Sequence, residues 1–370
     1  MKENRSPSII EPPSKLYPTL TVGIPTYNEA ANIERIVQSF LDTQYSNLVE
    51  VVIADGGSTD GTQAIIQQLA VRDARVKLLH NPLKVQSAGL NLIVQHSTSE
   101  IFLRADAHAD YAPDYIERCV EALIKSNALN AGGAQRFAAR TPFQVGVALA
   151  SRSLLGNGGA KYRDPQYNGY ADTVYLGCFW REALLKTSSS NESITPFDLT
   201  QITNQDAELN LKLLERDRQT IYVSSEVCVW YYPRETWKSL FIQYFKYGRG
   251  RYLTTTKHRK TASLRGRLPF LAILTVLILT VLSLAVPILR PVVAVLISLG
   301  LLLPFLESLR MVLKFRKNFR TEFWRSDRTP PSLFEVWFIC GITLLTMPIA
   351  HFSGYSYQLL RQKVFRAQNW

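Results

Sequence analysis

Ile101-Phe-Leu-Arg-Ala-Asp106-Ala-His108-Ala-Asp110 decides how the rest of the chain is read. It opens as an apolar run, Ile101, Phe102 and Leu103, of the kind that forms a buried parallel strand. Acids and a histidine follow where such a strand would end. In open α/β sheets, ligands bind in the crevice beyond the carboxyl ends of the strands. Asp106 and His108 stand two residues apart, so an extended segment projects them from one face, where they could share a cation. A carboxylate and an imidazole suit Mn2+ or Mg2+, with substrate phosphates in the remaining positions. The competing reading makes Asp106 a turn cap and His108 a packing residue.

Upstream, Thr19 to Ile24 reads as a strand, followed by Pro25-Thr-Tyr-Asn-Glu29. A helix with Asn28 as its N-cap then carries an apolar stripe of Ile33, Ile36, Val37, Phe40 and Leu41. A second strand, Val49 to Ala54, runs directly into Asp55-Gly-Gly-Ser-Thr-Asp60-Gly-Thr62. Helix Gln63 to Leu69, strand Val76 to Leu79 and helix Ala88 to Gln95 lead on to the stretch above. Such alternation predicts a parallel sheet with helices on both faces. Three strand ends carry Pro25, Tyr27 and Glu29, then Asp55, then Asp106, and this convergence on one sheet edge is what a nucleotide site needs. Each acid also has a plain turn-forming role, since Asp, Ser, Thr and Gly are all turn residues. These turns lack the G-x-G-x-x-G fingerprint and the P-loop, so neither NAD nor ATP in its usual cradle is indicated.

Val22-Gly-Ile-Pro-Thr-Tyr-Asn-Glu29, Ala54-Asp-Gly-Gly-Ser-Thr-Asp-Gly-Thr62 and Arg104-Ala-Asp-Ala-His108 together resemble the opening blocks of family 2 glycosyltransferases. Within that family the chain looks most similar to the succinoglycan-biosynthesis type of membrane-bound glucosyltransferase, from about Leu20 to Arg251. The resemblance implies an α/β GT-A-like fold, a mixed, mainly parallel sheet flanked by helices, and a nucleotide diphosphate sugar as donor. It also implies that Pro25, Tyr27, Glu29 and Asp55 hold base and ribose, and Asp106 the diphosphate-bound metal. His108 is the second candidate ligand. It stands where the commoner pattern has an aspartate, which leaves the metal's identity open.

After Pro113 a helix is expected to about Ser126, with Tyr115, Cys119, Val120 and Leu123 inward. Gly156 to Arg163 reads as a long Gly-rich loop whose Lys161 and Arg163 either reach a diphosphate or acceptor or are solvated surface charge. Asp172 to Phe179 reads as a strand returning to the site, and in the resembled family this block, with Gly177, lines the acceptor pocket. Asn204-Gln-Asp206-Ala-Glu208 starts a helix. Acids there are favoured by the helix macrodipole, and Glu208 is assigned to that role or to packing. Asp206 aligns with the second acid of the family's Glu-Asp pair, which resembles the catalytic base, and Gln205 replaces the first.

Strand Gln219 to Val229 precedes Trp237, Leu240, Phe241, Tyr244 and Phe245, an aromatic stripe that fits a membrane-interface helix or packing on the catalytic domain equally well. Gln243-Tyr-Phe-Lys246-Tyr247 resembles a degenerate Gln-x-x-Arg-Trp motif of polysaccharide synthases, with Arg249 and Arg251 placed after it to grip phosphate. Leu268 to Leu289 has no charged residue and is long enough to span a bilayer; Pro291 to Leu306 is a shorter apolar run. The loop Ser308 to Ser332 carries Arg310, Lys314, Arg316, Lys317, Arg320, Arg325 and Arg328 and should be cytoplasmic. Val336 to Phe352 is a third apolar run with basic flanks on both sides, so it either crosses or lies at the surface.

These readings divide the chain into a flexible leader (1–18), a catalytic domain (19–235), amphipathic interfacial helices (236–265) and a transmembrane region (266–370). The net charge of +12 lies mainly after Lys238 and flanks apolar runs, which favours membrane headgroups and a lipid phosphate over nucleic acid. Four scattered cysteines without CxxC spacing read as reduced and cytosolic, not as a disulfide framework or zinc site. The expected protein is an integral membrane enzyme with its catalytic domain on the cytoplasmic face of a plasma or inner membrane. It would be an inverting, metal-dependent transferase moving a hexose to a lipid-linked saccharide in surface polysaccharide synthesis. UDP-glucose is the first donor to consider, on the resemblance alone. The nearer alternative is a polyprenyl-phosphate glycosyltransferase with the lipid phosphate as acceptor. A transporter is disfavoured by apolar runs without intramembrane acids.

Overall fold

The computed structural model describes residues 17–188, 194–217, 219–258 and 264–366; the expected leader lies outside the described residues except for its last two. The first half alternates as β1 (Leu20–Thr26), α1 (Ile33–Leu41), β2 (Leu48–Asp55), α2 (Thr62–Arg72), β3 (Val76–His80), α3 (Gln86–His96) and β4 (Ile101–Arg104). A turn leads to β5 (Ala109–Tyr111), α4 (Tyr115–Ser126), β6 (Asn130–Phe137), α5 (Pro142–Arg152) and the short α6 (Leu154–Asn157). Then come β7 (Gly169–Tyr170), β8 (Tyr175–Trp180), α7 (Arg181–Leu185), α8 (Gln205–Leu214) and β9 (Ile221–Tyr231). Helices α9 (Trp237–Lys257), α10 (Leu268–Ala285), α11 (Arg290–Phe315), α12 (Phe319–Glu322) and α13 (Leu333–Lys363) complete the order.

The strands form one sheet in the order β3-β2-β1-β4-β8-β6-β9-β5, with β7 on β9. Pairs β2–β3, β1–β2 and β1–β4 are parallel, as the alternation predicts, and β8 then enters antiparallel between β4 and β6. Period-two alternation divides each strand between two cores. Val51, Ile53, Ile101 and Leu103 face the core under α1, α2 and α4, while Val52, Ala54 and Phe102 face the one under α3 and α8. A third apolar cluster joins α5 of the domain to α11 and α13, through Val145, Leu149, Met311, Phe315, Cys340 and Leu344.

Two local expectations change. Helix α1 begins at Ile33, not after Asn28. Asn28 takes a left-handed conformation (φ 55) and ties two strand-end loops together: its N–H donates to Ser58 Oγ (2.8 Å), and its Oδ1 accepts from Thr59 N (2.9 Å). The segment after Gly156 is partly helical; its Lys161 stays exposed, while Arg163 turns inward. Lys161 donates to the Tyr170 carbonyl (3.2 Å), and Arg163 stacks on Phe137 and Tyr162.

Helix α9 is packed on both sides. Its Gly248 faces the His351 carbonyl, and Gly354 of α13 faces the Phe245 carbonyl, so neither position has room for a Cβ and the two backbones cross closely. On the domain side, fully buried Glu208 of α8 meets Lys257 (2.7 Å), Lys212 (3.0 Å) and His258 Nε2 (3.0 Å), and His258 Nδ1 meets Glu215 (2.9 Å). A buried carboxylate without such partners would be costly to desolvate. Hydrogen bonds that the protonated ring donates to Glu208 and Glu215 push the His258 pKa up, against a downward push from burial. A raised folded-state pKa gives stability that is complete below the unfolded value and lost as pH rises through the folded value. His258→Gln should therefore lower the thermal midpoint of the detergent-solubilised protein more at pH 6 than at pH 9. The loss near pH 6 should be roughly 1.5–3 kcal/mol, the usual range for a hydrogen bond to a charged group. An equal loss at both pH values would show that His258 is neutral in the folded protein.

Candidate active site

The carboxyl ends of β1, β2 and β4 bring the expected residues to one edge. Register places Pro25 against Ala54 and Thr26 against Asp55. Asp55 is almost fully buried. It accepts from Gly57 N (2.8 Å), Ser58 N (2.9 Å), Gln63 Nε2 (2.6 Å) and the Ser58 hydroxyl, so it shapes its own loop. Tyr27 stands exposed above it. Glu29 is held by two contacts: its N–H donates to Thr62 Oγ1 (2.9 Å), and its carboxylate accepts from Asn32 Nδ2 (3.0 Å).

Asp106 and His108 do not share a face of an extended strand. A turn at 107–108 carries the chain from β4 to β5, which pairs with β9, and Tyr111 clamps that turn through its hydroxyl on the Asp106 backbone (2.7 and 3.0 Å). His108 Nδ1 lies 3.2 Å from Glu29 Oε1. That bond raises the imidazole pKa, with burial opposing and the Asp106 charge assisting. Burial raises the Glu29 carboxyl, but hydrogen bonds from His108 and Asn32 outweigh it and leave Glu29 below the usual range.

The residue that organises the site is Arg104, the last of β4. Its side chain is 6% exposed, with Nη2 3.2 Å from Asp106 Oδ1 and Nη1 paired with Asp206 Oδ1. Burial alone would lower the guanidinium pKa; the Asp206 and Asp106 charges reverse this and raise it. One planar fork thus spans two carboxylates that are 100 positions apart in sequence. Gln86 closes the ring: its Nε2 donates to Asp106 Oδ1 (3.4 Å), and its Oε1 accepts from Gln205, the neighbour of Asp206. Asp206 lies in the first turn of α8, whose cap is Asn204, and its side chain keeps 46% exposure. The start of α8 is in turn held on α9, with Thr203 Oγ1 donating to the Lys246 carbonyl (2.9 Å) and Asn204 Nδ2 to that of Tyr247 (3.2 Å).

The remaining expected residues divide. Gln243 donates to the hydroxyls of Tyr231 and Tyr247 (3.1 Å each), and the Tyr231 ring lies 6.4 Å from that of His108, so this part of α9 borders the site. Lys246 is exposed. Arg249 turns to α13, donating to Gln358 Oε1 (3.0 Å) over the Tyr357 ring, and Arg251 packs beside Gly266. Gly177 sits within β8, where a Cβ would meet Phe179 and Asn130 Oδ1 (2.6 Å). Arg104 and Gln86 escaped the sequence reading. The available signal was a lone cation ending an apolar strand, two residues before an acid, where a buried charge requires partners.

Among the described residues, no group of three His, Cys, Asp or Glu side chains could hold a metal ion. The donor set still fits an ion that takes most of its ligands from substrate oxygens. The described hydrogen bonds to the Asp106 carboxylate fall on Oδ1. If Nδ1–H donates to Glu29, His108 keeps Nε2 as an acceptor, the tautomer a ligand requires.

Residues 21–181 match the family described as glycosyl transferase family 2. The chain is 37% identical over 250 residues to the succinoglycan biosynthesis protein ExoA of Rhizobium meliloti (strain 1021), which spans 67% of this chain and 73% of that protein. It is 25% identical over 247 residues, 64% of this chain and 74% of the relative, to a Methanococcus voltae enzyme. That relative is named dolichyl N-acetyl-alpha-D-glucosaminyl phosphate 3-beta-D-2,3-diacetamido-2,3-dideoxy-beta-D-glucuronosyltransferase. Among solved structures, the mannosyltransferase PcManGT from Pyrobaculum calidifontis, in complex with GDP-Man and Mn2+, superposes with a TM-score of 0.55 at 18% identity. The match covers 97% of this chain and 92% of that one. It agrees with a GT-A-like mixed sheet flanked by helices, followed by three apolar helices that could span a membrane. The extent and identity of the match to the succinoglycan protein settle the family: this chain belongs to glycosyl transferase family 2.

Proposed function

We propose that this transferase is membrane-bound, inverting and metal-dependent, and moves a hexose from a nucleotide diphosphate sugar to a hydroxyl of a lipid-linked saccharide in surface polysaccharide synthesis. The observation that carries the proposal is the Arg104 fork, which holds an acid at a strand end and an acid at a helix start in one site. Pro25, Tyr27, Glu29 and Asp55 line the donor end, and Asp106 with His108 would hold the cation. When bound, such an ion neutralises charge on the departing diphosphate. Asp206, half-exposed beyond the fork, takes the proton from the acceptor hydroxyl. The acceptor oxygen attacks the anomeric carbon from the face opposite the leaving group, and the glycosidic C–O electron pair departs with the nucleoside diphosphate. Gln243 and Lys246 of α9 face the acceptor; Arg249, Arg251 and Gly177 support helix and sheet around it. UDP-glucose is the first donor to test, with membrane extract as the source of acceptor.

A hydroxyl acceptor is preferred to a bare lipid phosphate because the archaeal relative is named for action on a sugar already carried on dolichyl phosphate. The basic segment between α11 and α13 supports a cytoplasmic location for the catalytic domain.

Asp206→Asn should lower kcat by about 10²–10⁴, the usual contribution of a positioned proton acceptor. Donor affinity and thermal midpoint should stay near those of the wild type. A variant that folds, binds donor and turns over normally would move the reading toward transfer onto lipid phosphate. Arg104→Lys keeps the charge but cannot span both carboxylates, and should cost roughly 10–100-fold in rate, as outer-sphere positioning groups do. A normal rate would show that charge alone suffices at this position. Asp106→Ala should remove the cation-dependent part of nucleotide diphosphate binding measured by calorimetry; full wild-type activity in excess chelator would refute the metal assignment.

A further inference from the structure

Among the described residues, three helices are long and apolar enough to cross a membrane, but they are not alike: 6% of the apolar window of α10 is buried, 17% of that of α11 and 44% of that of α13. Helices α10 and α11 are joined at Pro287–Leu289 and present apolar surfaces around that end, with Val281, Leu284, Ile288 and Val295 exposed. The ring and hydrogen-bond contacts of this pair with α13 fall at the other end. Phe270, in the first turn of α10, stacks on Phe352 and Tyr355 at 5.5 and 4.3 Å. Trp337 donates to the Phe305 carbonyl (3.0 Å) and accepts at its own carbonyl from Ser308 Oγ (2.6 Å), both in the last part of α11. The two contact points on α13 are 15 positions apart in sequence, about 22 Å along a helix. Helix α13 therefore lies across the base of the pair and does not run beside it.

Its opposite side is covered by the catalytic domain. Gly146 of α5 abuts Ile339 and Cys340. Helix α9 follows α13 in parallel, with Trp237 donating to Thr346 Oγ1 (2.9 Å) and Arg249 to Gln358 (3.0 Å). Were α13 to cross the bilayer, it would draw α9, with Lys246, Arg249 and Arg251, and part of the domain into hydrocarbon, where each charge is expensive. Both flanks of α13 are basic, with Arg325 and Arg328 before it and Arg361, Lys363 and Arg366 after it or at its end. The exposed Phe334, Phe338, Ile349 and Leu360 of α13 share one face, beside the base of the α10–α11 pair, while Leu333, Glu335 and Tyr357 are exposed outside it.

We infer that α13 does not span the membrane. It lies in the membrane plane, its Phe334-to-Leu360 stripe seated at the boundary between headgroups and acyl chains, and the chain ends on the same side as the catalytic domain. The partner of this surface is the bilayer itself. The inference rests on α10 and α11 crossing as a hairpin, and the test addresses that premise separately.

The full chain is expressed in bacteria with a paired reporter, green fluorescent protein or alkaline phosphatase, after Trp370, and in parallel before Met1. A peptide epitope is inserted after Leu289 in the same background. Each fusion is accepted only if it elutes as a single species in detergent. The two termini should give the same reporter pattern, while the epitope is stained from outside intact cells. A protease added to inside-out vesicles should remove a C-terminal peptide tag that survives in intact spheroplasts. Opposite patterns at the two termini, or a C-terminal tag cleaved from outside, would overturn the inference. An epitope unstained from outside would overturn the hairpin, and the inference would fall with it.

Discussion

A guanidinium withdrawn from water at the end of β4 sets the terms for the rest of the structure. Desolvating a charge costs several kcal/mol unless partners compensate, and Arg104 finds its partners in Asp106 and Asp206. The first comes from the strand's own continuation. The second is in place only when α8 is docked on the sheet, far along the chain from β4. The site is therefore complete only in the fully packed domain. The Gln86–Gln205 bond reinforces it from the α3 side, and at position 205 an amide provides a donor where an acid would have added a third negative charge to the group.

Helix α8 in turn depends on α9. Its first turn hangs from the Lys246 and Tyr247 carbonyls, and its buried Glu208 is balanced by Lys257 and His258 at the other end of α9. Carbonyls in the middle of a helix normally serve only their own ladder. Here their second lone pairs accept from outside, which fixes α8 without interrupting α9. Gly248 and Gly354 then bring α9 against α13 at backbone distance. The route from the carboxylates to the apolar helices is one of directed bonds and close packing, with no slack segment between them.

Much of the first half was legible because its signals are local. Apolar runs at 20–24, 49–54, 76–79 and 101–103 became β1 to β4, and the acids that follow them came to one edge as parallel pairing demands. The strand β6, Asn-Ala-Gly-Gly-Ala-Gln-Arg-Phe, lies between β8 and β9 yet carries no strong apolar period. Gly132 and Gly133 are there because the neighbouring strands come too close for a Cβ, a demand set by tertiary contacts. The aromatic stripe of α9 was ambiguous for a related reason. Burial against α13 and burial against lipid impose the same helical period, and only the neighbour distinguishes them. Arg249 and Arg251 show the limit of motif reading: spacing placed them after the Gln243 block, but 100° per residue turns Arg249 toward Gln358. The Arg104 fork joins residues so far apart in sequence that no local pattern could announce the pairing.

The two helix contacts also bear on where a lipid-borne acceptor meets the enzyme. Packed helices sit 8–10 Å apart, axis to axis. The start of α8 is bonded to α9 and α9 packs on α13, so the acid-bearing turn stands roughly two helix layers, on the order of 20 Å, from the axis of α13. With α13 in the membrane plane, as inferred above, that separation would set an upper limit on the height of the turn above the bilayer. On the proposed reading, an acceptor whose lipid stays in the membrane would reach Asp206 by extending its polar head, without leaving the bilayer. The 46% exposure of the Asp206 side chain, in a network whose other members are largely buried, leaves one side of that carboxylate open to such an approach. On the proposed reading, a set height in place of a flexible tether would convert membrane attachment into a positional constraint on the reacting hydroxyl, and restricting that freedom before the reaction is among the larger ways an enzyme lowers a barrier.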